Sequence, residues 1–282
     1  MIAVARQIKY TGHDFSICNV TNHNLVYVRI WKNGNDEISF VLNNLIRAVN
    51  GLNWNGHLVP RANSHYSAYL TAINDTAAGE ATIFTRMKEY NKDVKLNVFT
   101  FLRDPYSRFL SGMSEIVERE EDQDQQIPVV EKFDVDDAKV FFRDLLSCQL
   151  KGRFDTDLIA HISPQMRFLQ SSLFGNETLY IGQVEHMVDD FATIMTKIGI
   201  PEKYRSMDPD HHLNGHVATR SDKLHVRESF RDLFVKEPQY LRALCWLLIP
   251  DYICIPVYQV PAACMQVMWK LDRSIFFSHK IE

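Results

Sequence analysis

The chain has 282 residues, of which 46% are hydrophobic and 23% are charged, a composition typical of a globular protein with a sizeable core. Its 31 basic and 35 acidic side chains give a formal net charge of −4, so no overall positive field exists to recruit nucleic acid or an anionic membrane surface. Any anion that the protein binds must therefore be held by a local site.

The beginning of the chain and its cysteines bear on where the protein works. The start, MIAVARQIKYTGHDF, lacks the long apolar core of a signal peptide, and no run reaches the ~18 apolar residues that a membrane span needs. The five cysteines are odd in number, scattered and without CxxC spacing, which predicts reduced core thiols rather than disulfides or a zinc site. We therefore expect a cytoplasmic protein without a membrane span.

Three short apolar segments predict buried β-strands, at residues 25–31, 96–102 and 178–184. Each is followed by apolar residues at intervals of three and four, which is the stripe of an amphipathic helix. In chain order the stripes consist of Ile38, Val41, Leu42, Leu45 and Val49; of Phe109, Met113, Ile116 and Val117; and of Met187, Phe191, Met195 and Ile198. The glycine and proline of residues 199–201 predict the end of the third helix.

This alternation of strand and helix predicts an α/β fold with a parallel sheet flanked by helices. Ligands of such folds lie beyond the carboxyl ends of the strands, which is where Lys32 and Arg103 both fall. Further helices are predicted over about 136–149, 163–172 and 239–248, so the fold should be helix-rich.

Nothing in the sequence marks a boundary between domains. Repeats and low-complexity linkers are absent, so we expect a single domain over residues 1–282. The acidic run at residues 118–126 is too poor in apolar residues to pack, and predicts a frayed helix end and a solvated loop. Residues 201–235 are poorly periodic, and the pattern assigns no element to them.

The first predicted strand runs into the sequence WKNGNDEISFVL, residues 31–42. This sequence predicts a strand, then a short turn containing Gly34, then the start of a helix. In such a turn the backbone N–H groups converge on a phosphate, and the helix dipole adds about half a positive charge. Lys32 would add a full charge. Because the lysine precedes the glycine, the GxxxxGK[ST] loop is absent, which argues against a nucleotide kinase. A plain strand-to-helix connection is the alternative.

The second candidate for holding an anion is VFTFLRDPYSRFLSG, residues 98–112. Arg103, at a strand end, can direct two N–H donors at a phosphate, and Ser111 could reach the same anion if the intervening turn folds back. Pro105 suits the first position of a helix, and Asp104 is interpreted as its N-cap. Arg108 is expected to brace the loop through a carboxylate rather than to touch a ligand.

These two segments resemble the nucleotide-binding motifs of the sulfotransferases. FTFLRDPYSRFLSG is similar to the 3′-phosphate-binding motif RDPxxRxxS, especially that of the carbohydrate sulfotransferase branch, and IWKNGNDEI is similar to the family's 5′-phosphosulfate loop. Weaker similarities follow in order at residues 161–165, 180–200 and 248–258. Together the similarities cover about residues 25–258, the core of the predicted domain.

The resemblance implies a P-loop-like fold that binds 3′-phosphoadenosine 5′-phosphosulfate (PAPS) as co-substrate and moves its sulfuryl group to a hydroxyl or amine of a small molecule or glycan. It implies that Arg103 and Ser111 hold the 3′-phosphate, and that a loop holds the 5′-phosphosulfate: Lys32, Asn33, Gly34, Asn35, Asp36 and Glu37. Lys32 would stabilise the charge growing on the bridging oxygen of the leaving phosphate. No metal is expected, because the sulfuryl group carries one less charge than a terminal phosphoryl group.

The loop after Lys32 departs from the family pattern. Family members carry hydroxyls there, in the manner of KxGSTS, where this chain has Asn35, Asp36 and Glu37. Two carboxylates should repel a polyanion, although acids in a first helical turn are favoured by the dipole and their side chains splay away from the axis. The alternative function is therefore a catalytically degenerate relative that binds a nucleotide or glycan without turning it over.

An acceptor hydroxyl must lose its proton to a histidine or carboxylate within hydrogen-bond reach. The candidates between the two motifs are His57, His65 and Glu89, and His65 is preferred because NSHYSAY reads as a polar loop that could face the donor. His161 is a further candidate to line the cleft, and Glu185 either points into it or caps the helix that follows. A solvated surface position is the alternative for the candidates between the motifs.

Two later segments contain basic residues or histidines. Arg220 and Lys223, in ATRSDK, are candidates for extra positive charge at the 3′-phosphate, with a solvated loop as the alternative. The adjacent His211 and His212 point different ways in most backbones, so DPDHHLNGH predicts no metal site.

Overall fold

The computed structural model describes residues 15–20, 23–30, 32–34, 38, 41–42, 45, 96–123, 132–147, 160–169, 178–205 and 221–269. The chain divides into two compact units, one comprising Met1–Arg103 and Phe168–Val217, the other Asp104–Arg167 and Ala218–Glu282. Among the residues described, all strands belong to the first unit. The single domain over residues 1–282 stays a prediction.

The strands are β1 (Phe15–Val20), β2 (His23–Val28), β3 (Leu96–Leu102) and β4 (Leu179–Gln183). The helices are α1 (Pro105–Gln123), α2 (Val135–Leu146), α3 (Met187–Ile198), α4 (Ser221–Lys236), α5 (Pro238–Cys254) and α6 (Ala262–Trp269). Short 3₁₀ helices lie at Gln165–Leu169, Val184–His186 and Glu202–Tyr204.

The sheet has the order β1-β2-β3-β4, in which β2 pairs in parallel with β3, and β3 with β4. The register sets Val26 opposite Val98, and Val98 opposite Leu179. The three predicted strands and their parallel arrangement are confirmed. β1, which pairs antiparallel with β2, was not predicted, because Ser16 and Asn19 interrupt the apolar run of FSICNV.

The core of the first unit lies on one face of this sheet. Alternate residues of β2 and β3 meet apolar side chains from α3 and from the helical residues that follow β2. The cluster includes Leu25, Tyr27, Phe99, Phe101, Phe191, Met195, Ile38, Val41, Leu42 and Leu45. β3 is buried along its whole length, as expected of a central parallel strand. The first and third predicted helical stripes therefore face the sheet; Val49 lies outside the described residues.

The second unit packs α1, α2 and α4 around aromatic rings. The Phe109 ring lies 6.0 Å from that of Phe142 and 6.3 Å from that of Phe234, and Phe142 lies 5.2 Å from Phe234, all centroid to centroid. Aromatic pairs at such distances stabilise a core beyond the area that they bury. α4 occupies the region to which the sequence pattern assigned no element.

The other predicted helices are confirmed with two corrections. Residues 136–149 and 239–248 correspond to α2 and α5, and α3 ends where predicted, at Gly199, whose φ of 95° is left-handed. Residues 163–172 were predicted as an α-helix, but the described part contains a 3₁₀ helix at Gln165–Leu169. The acidic residues 118–123 continue α1, and residues 124–126 lie outside the described residues.

A disulfide joins α5 to α6. Cys245 and Cys264 are bonded, whereas Cys254 is free and exposed. The prediction of reduced thiols is therefore wrong for this pair, because sequence spacing does not reveal two helices that pack side by side. The cytoplasmic location stays a prediction, and the bridge weighs against it because the cytosol keeps thiols reduced. In the described parts of the chain, no helix is long and apolar enough to cross a membrane.

Breaking this disulfide should lower the free energy of unfolding. The two cysteines are separated by 19 residues, and closing a loop of this size stabilises a protein by about 3 kcal/mol through the unfolded state. We expect about this loss for Cys245→Ala with Cys264→Ala in urea denaturation, and little change for Cys254→Ala. Reaction of all five thiols in denaturant without reductant would contradict the bridge.

Candidate functional site

The turn after β2 contains a lysine in a left-handed conformation. Lys32 has a φ of 68° and Gly34 a φ of 71°. The Asn33 N–H donates to the Ile30 carbonyl at 3.1 Å, and the Ile38 N–H donates to the Gly34 carbonyl at 3.1 Å. A side chain at positive φ costs about 1 kcal/mol, so the surroundings must impose this conformation on Lys32.

Asn33 supplies part of that constraint. Its side chain is fully buried, and its Nδ2 donates to the Phe101 carbonyl at 2.7 Å. The bond joins the turn after β2 to the end of β3, two segments that are remote in sequence. Since an unpaired buried amide would cost about 1–3 kcal/mol, the turn is held against the neighbouring strand. The sequence placed Asn33 in the anion-binding loop but gave no sign of this contact.

Arg103 lies beside the same turn. It directly follows β3, and its Nη1 donates to the Lys32 carbonyl at 3.4 Å. Parallel pairing of β2 and β3 sets both strand ends at one edge of the sheet, which is why these residues meet. Both side chains are half-buried, so the two positive charges lie partly out of water, where they attract an anion more strongly.

Ser111 lies on α1, in the second unit, and is nearly buried. Its Oγ accepts a hydrogen bond of 3.2 Å from the Arg227 guanidinium of α4, and the same guanidinium donates to the Ser114 Oγ at 3.3 Å. Sequence reasoning missed Arg227. The available signal was the spacing of Arg227, Phe230 and Phe234, which sets an arginine on the apolar face of a helix.

Arg108 braces a loop, as expected, and the hydrogen bonds that hold the loop go to backbone oxygens. Its guanidinium donates to the Ser163 carbonyl at 2.5 Å and to the Ala160 carbonyl at 3.1 Å, and its charge also acts on the Asp251 carboxylate. The predicted N-cap is present at Asp104, whose carboxylate accepts from the Ser107 N–H at 2.8 Å.

Asp251 of α5 caps the 3₁₀ helix that follows this loop. The side chain is fully buried, and its two oxygens accept from the Gln165 and Met166 N–H groups, each at 2.9 Å. Burial raises the pKa of Asp251, while the two N–H donors and the charge of Arg108 oppose the rise. The two segments at 161–165 and 248–258 therefore meet in one buried polar network.

The remaining predicted site residues divide into two groups. His161 is buried, and its backbone oxygen lies so close to Gly112 that a Cβ there would collide with it, so His161 belongs to the packed interior of the second unit. Glu185 lies exposed in the 3₁₀ helix after β4. The other candidates lie outside the described residues: Asn35, Asp36, Glu37, His57, His65, Glu89, His211, His212 and Arg220. Within the described segments, no group of three potential ligands could hold a metal ion.

Asp251 makes a testable contribution to the pH dependence of stability. The pKa of Asp251 in the folded state lies above 3.8, so the folded state binds the carboxyl proton more tightly than the unfolded state does. The contribution of Asp251 to the free energy of unfolding therefore falls as the pH rises from 3.8 through the folded pKa. Asp251→Asn cannot ionise, so the stability advantage of the wild type over the variant should shrink as the pH rises. Urea denaturation from about pH 4 to 7 measures this.

Asp232→Asn is the control for Asp251, because it removes an exposed negative charge from α4. If the difference between wild type and Asp251→Asn stayed constant with pH, or grew, the raised pKa would be excluded.

Comparison with known proteins identifies the family of this chain. The sequence profile of the Sulfotransferase family matches residues 16–252. No significant match was found among curated proteins or solved structures. The family match covers β1 to β4, the turn at Lys32, Arg103 and Ser111, and it ends within α5. The chain belongs to the sulfotransferase family.

Proposed function

We propose that the protein transfers the sulfuryl group of PAPS to a hydroxyl, or an amine, of a small molecule or glycan. Family membership supports sulfuryl transfer in general. The observation that carries the proposal further is the left-handed Lys32 turn with the Arg103 guanidinium bonded to its carbonyl. Two cations at the carboxyl edge of a parallel sheet suit a ligand with several negative charges.

The proposed reaction is an in-line displacement. The acceptor oxygen forms a bond to sulfur while the bond from sulfur to the bridging phosphate oxygen breaks, and adenosine 3′,5′-bisphosphate leaves. Charge develops on the bridging oxygen, so a fixed cation at that position lowers the barrier. Lys32 is assigned this role because it lies in the turn that the family uses for the 5′-phosphosulfate.

The RDPxxRxxS motif supplies the other two assignments, on sequence grounds. Arg103 and Ser111 are proposed to bind the 3′-phosphate, which fixes the position of the nucleotide and so aligns the sulfuryl group. His65 is the proposed general base for the acceptor hydroxyl. Loop residues 33–37 complete the proposed 5′-phosphosulfate site.

The acidic residues after the turn favour a second candidate function, binding without turnover. Asp36 and Glu37 stand where the family carries hydroxyl donors, and their carboxylates repel a polyanion. Binding of the bisphosphate with no transfer from labelled PAPS to any acceptor in a panel of glycans, phenols, alcohols and amines would select this function.

Arg103→Ala should weaken binding of adenosine 3′,5′-bisphosphate by about 2–3 kcal/mol, because a hydrogen-bonded charge at the nucleotide is lost. Isothermal titration calorimetry measures the affinity. Arg242→Ala, at an exposed position on α5, is the matched control and should bind as the wild type does. Equal affinity of wild type and Arg103→Ala would count against the nucleotide site.

Lys32→Gly separates the charge of Lys32 from its backbone conformation. Glycine adopts a φ of 68° without strain, whereas alanine does not. The free energy of unfolding of Lys32→Gly should therefore exceed that of Lys32→Ala by about 1 kcal/mol. Both variants lack the amine, so transfer of labelled sulfate should fall by about 10²–10³-fold in each.

Loss and retention of transfer activity in the Lys32 variants lead to opposite conclusions about the amine. Loss of transfer in a variant that is as stable as the wild type assigns the effect to the missing amine. Full transfer activity in Lys32→Gly would remove Lys32 from the mechanism.

A further inference from the structure

A guanidinium in the second unit binds two hydroxyl groups of one helix. Arg227 Nη2 donates to the Ser111 Oγ at 3.2 Å, and Nε donates to the Ser114 Oγ at 3.3 Å. The two serines lie three residues apart on α1 and therefore share a face of the helix. They are 6% and 1% exposed, respectively. The two hydrogen bonds from one guanidinium hold both nearly buried hydroxyl oxygens in position.

The direction of each hydrogen bond follows from the donors. The Ser114 Oγ donates its proton to the Ser111 carbonyl at 3.0 Å, so toward Arg227 it acts only as an acceptor. The Ser111 Oγ also accepts from Arg227, which leaves its own proton to be given elsewhere. In the segments that the structure describes, that proton has no acceptor.

Helix packing holds Arg227 in place. α4 contacts α1 through Phe234, whose ring lies 6.2 Å from that of Tyr106 and 6.3 Å from that of Phe109. Arg227, two turns earlier on α4, meets Ser111 further along α1, so the two helices run antiparallel. The guanidinium is thus carried by a packed helix rather than by a loop, which suits a group that must hold another side chain in one orientation.

We propose that Arg227 is a positioning residue: it binds the lone pair of Ser111 and so directs the Ser111 proton to a phosphomonoester, the 3′-phosphate of the donor nucleotide. This rests on the proposed function. A hydroxyl that accepts from a cation is also the stronger donor, because the neighbouring positive charge polarises its O–H bond. Arg227 is thus a basic residue that supports the 3′-phosphate, and the same role for Arg220 and Lys223 stays a prediction.

The test compares two ligands that differ only in the 3′-phosphate. Adenosine 3′,5′-bisphosphate and adenosine 5′-phosphate are titrated into wild type, Ser111→Ala, Arg227→Gln and the double variant. The wild type should prefer the bisphosphate, and each single change should reduce that preference about ten- to a hundredfold, since a hydrogen bond to a charged group is lost. Affinity for adenosine 5′-phosphate should stay unchanged.

The double variant shows whether Arg227 acts through Ser111. If it does, Ser111→Ala with Arg227→Gln should lose no more preference than either single change. Arg231→Gln removes an exposed arginine one turn later on α4, and it should keep the full preference. Additive losses would mean that Arg227 binds the ligand on its own, which would overturn the positioning role.

The remaining outcomes separate this inference from the proposed function. A wild type that binds both nucleotides equally would overturn the proposed nucleotide site itself. If the wild type prefers the bisphosphate and Arg227→Gln keeps that preference, only the role of Arg227 fails. If Arg227→Gln weakens both nucleotides by the same factor and lowers the unfolding free energy, Arg227 is a structural tie between α1 and α4, and the inference is wrong.

Discussion

The hydrogen bond from the Asn33 side chain to the Phe101 carbonyl is the contact on which the candidate site of the first unit depends. It ties the left-handed turn after β2 to the end of β3, which is the strand that delivers Arg103. Without this bond, the positive φ of Lys32 would lose a constraint that holds it, and the Lys32 carbonyl would move away from the Arg103 guanidinium that donates to it. A neutral buried amide therefore organises the two positive charges.

In the second unit, buried charged side chains hold a loop in place. Arg108 is almost wholly buried, and it holds the loop at residues 160–163 through backbone carbonyls, while Asp251 caps the 3₁₀ helix that follows. Each charge is offset by hydrogen bonds and by the other charge, which is the condition under which buried ions are tolerated. Removal of either residue would leave the other as a buried charge without its partner. The loop and the two helices that carry these residues are therefore stabilised together.

Much of the fold could be predicted because the signals are local. The three parallel strands, the stripes of α1 and α3 and the glycine end of α3 all follow from periodicity in short windows. The site was predicted as two strand ends with the loop after Lys32, Ser111 and a general base, but without the contacts between them. The contacts that shape it join residues remote in sequence: Asn33 to a backbone oxygen, Ser111 to Arg227, and Cys245 to Cys264. No local pattern encodes such pairs, and β1 was missed because Ser16 and Asn19 interrupt its apolar run.

The order of the segments along the chain has a consequence for synthesis on the ribosome. β1, β2 and β3 emerge first, but β4, the other neighbour of β3, emerges only after α1 and α2 of the second unit. That edge of β3 therefore stays unpaired while much of the second unit is being made, and an unpaired strand edge can join a wrong partner. Since α4 emerges after β4, neither unit can finish folding before translation of the other has begun.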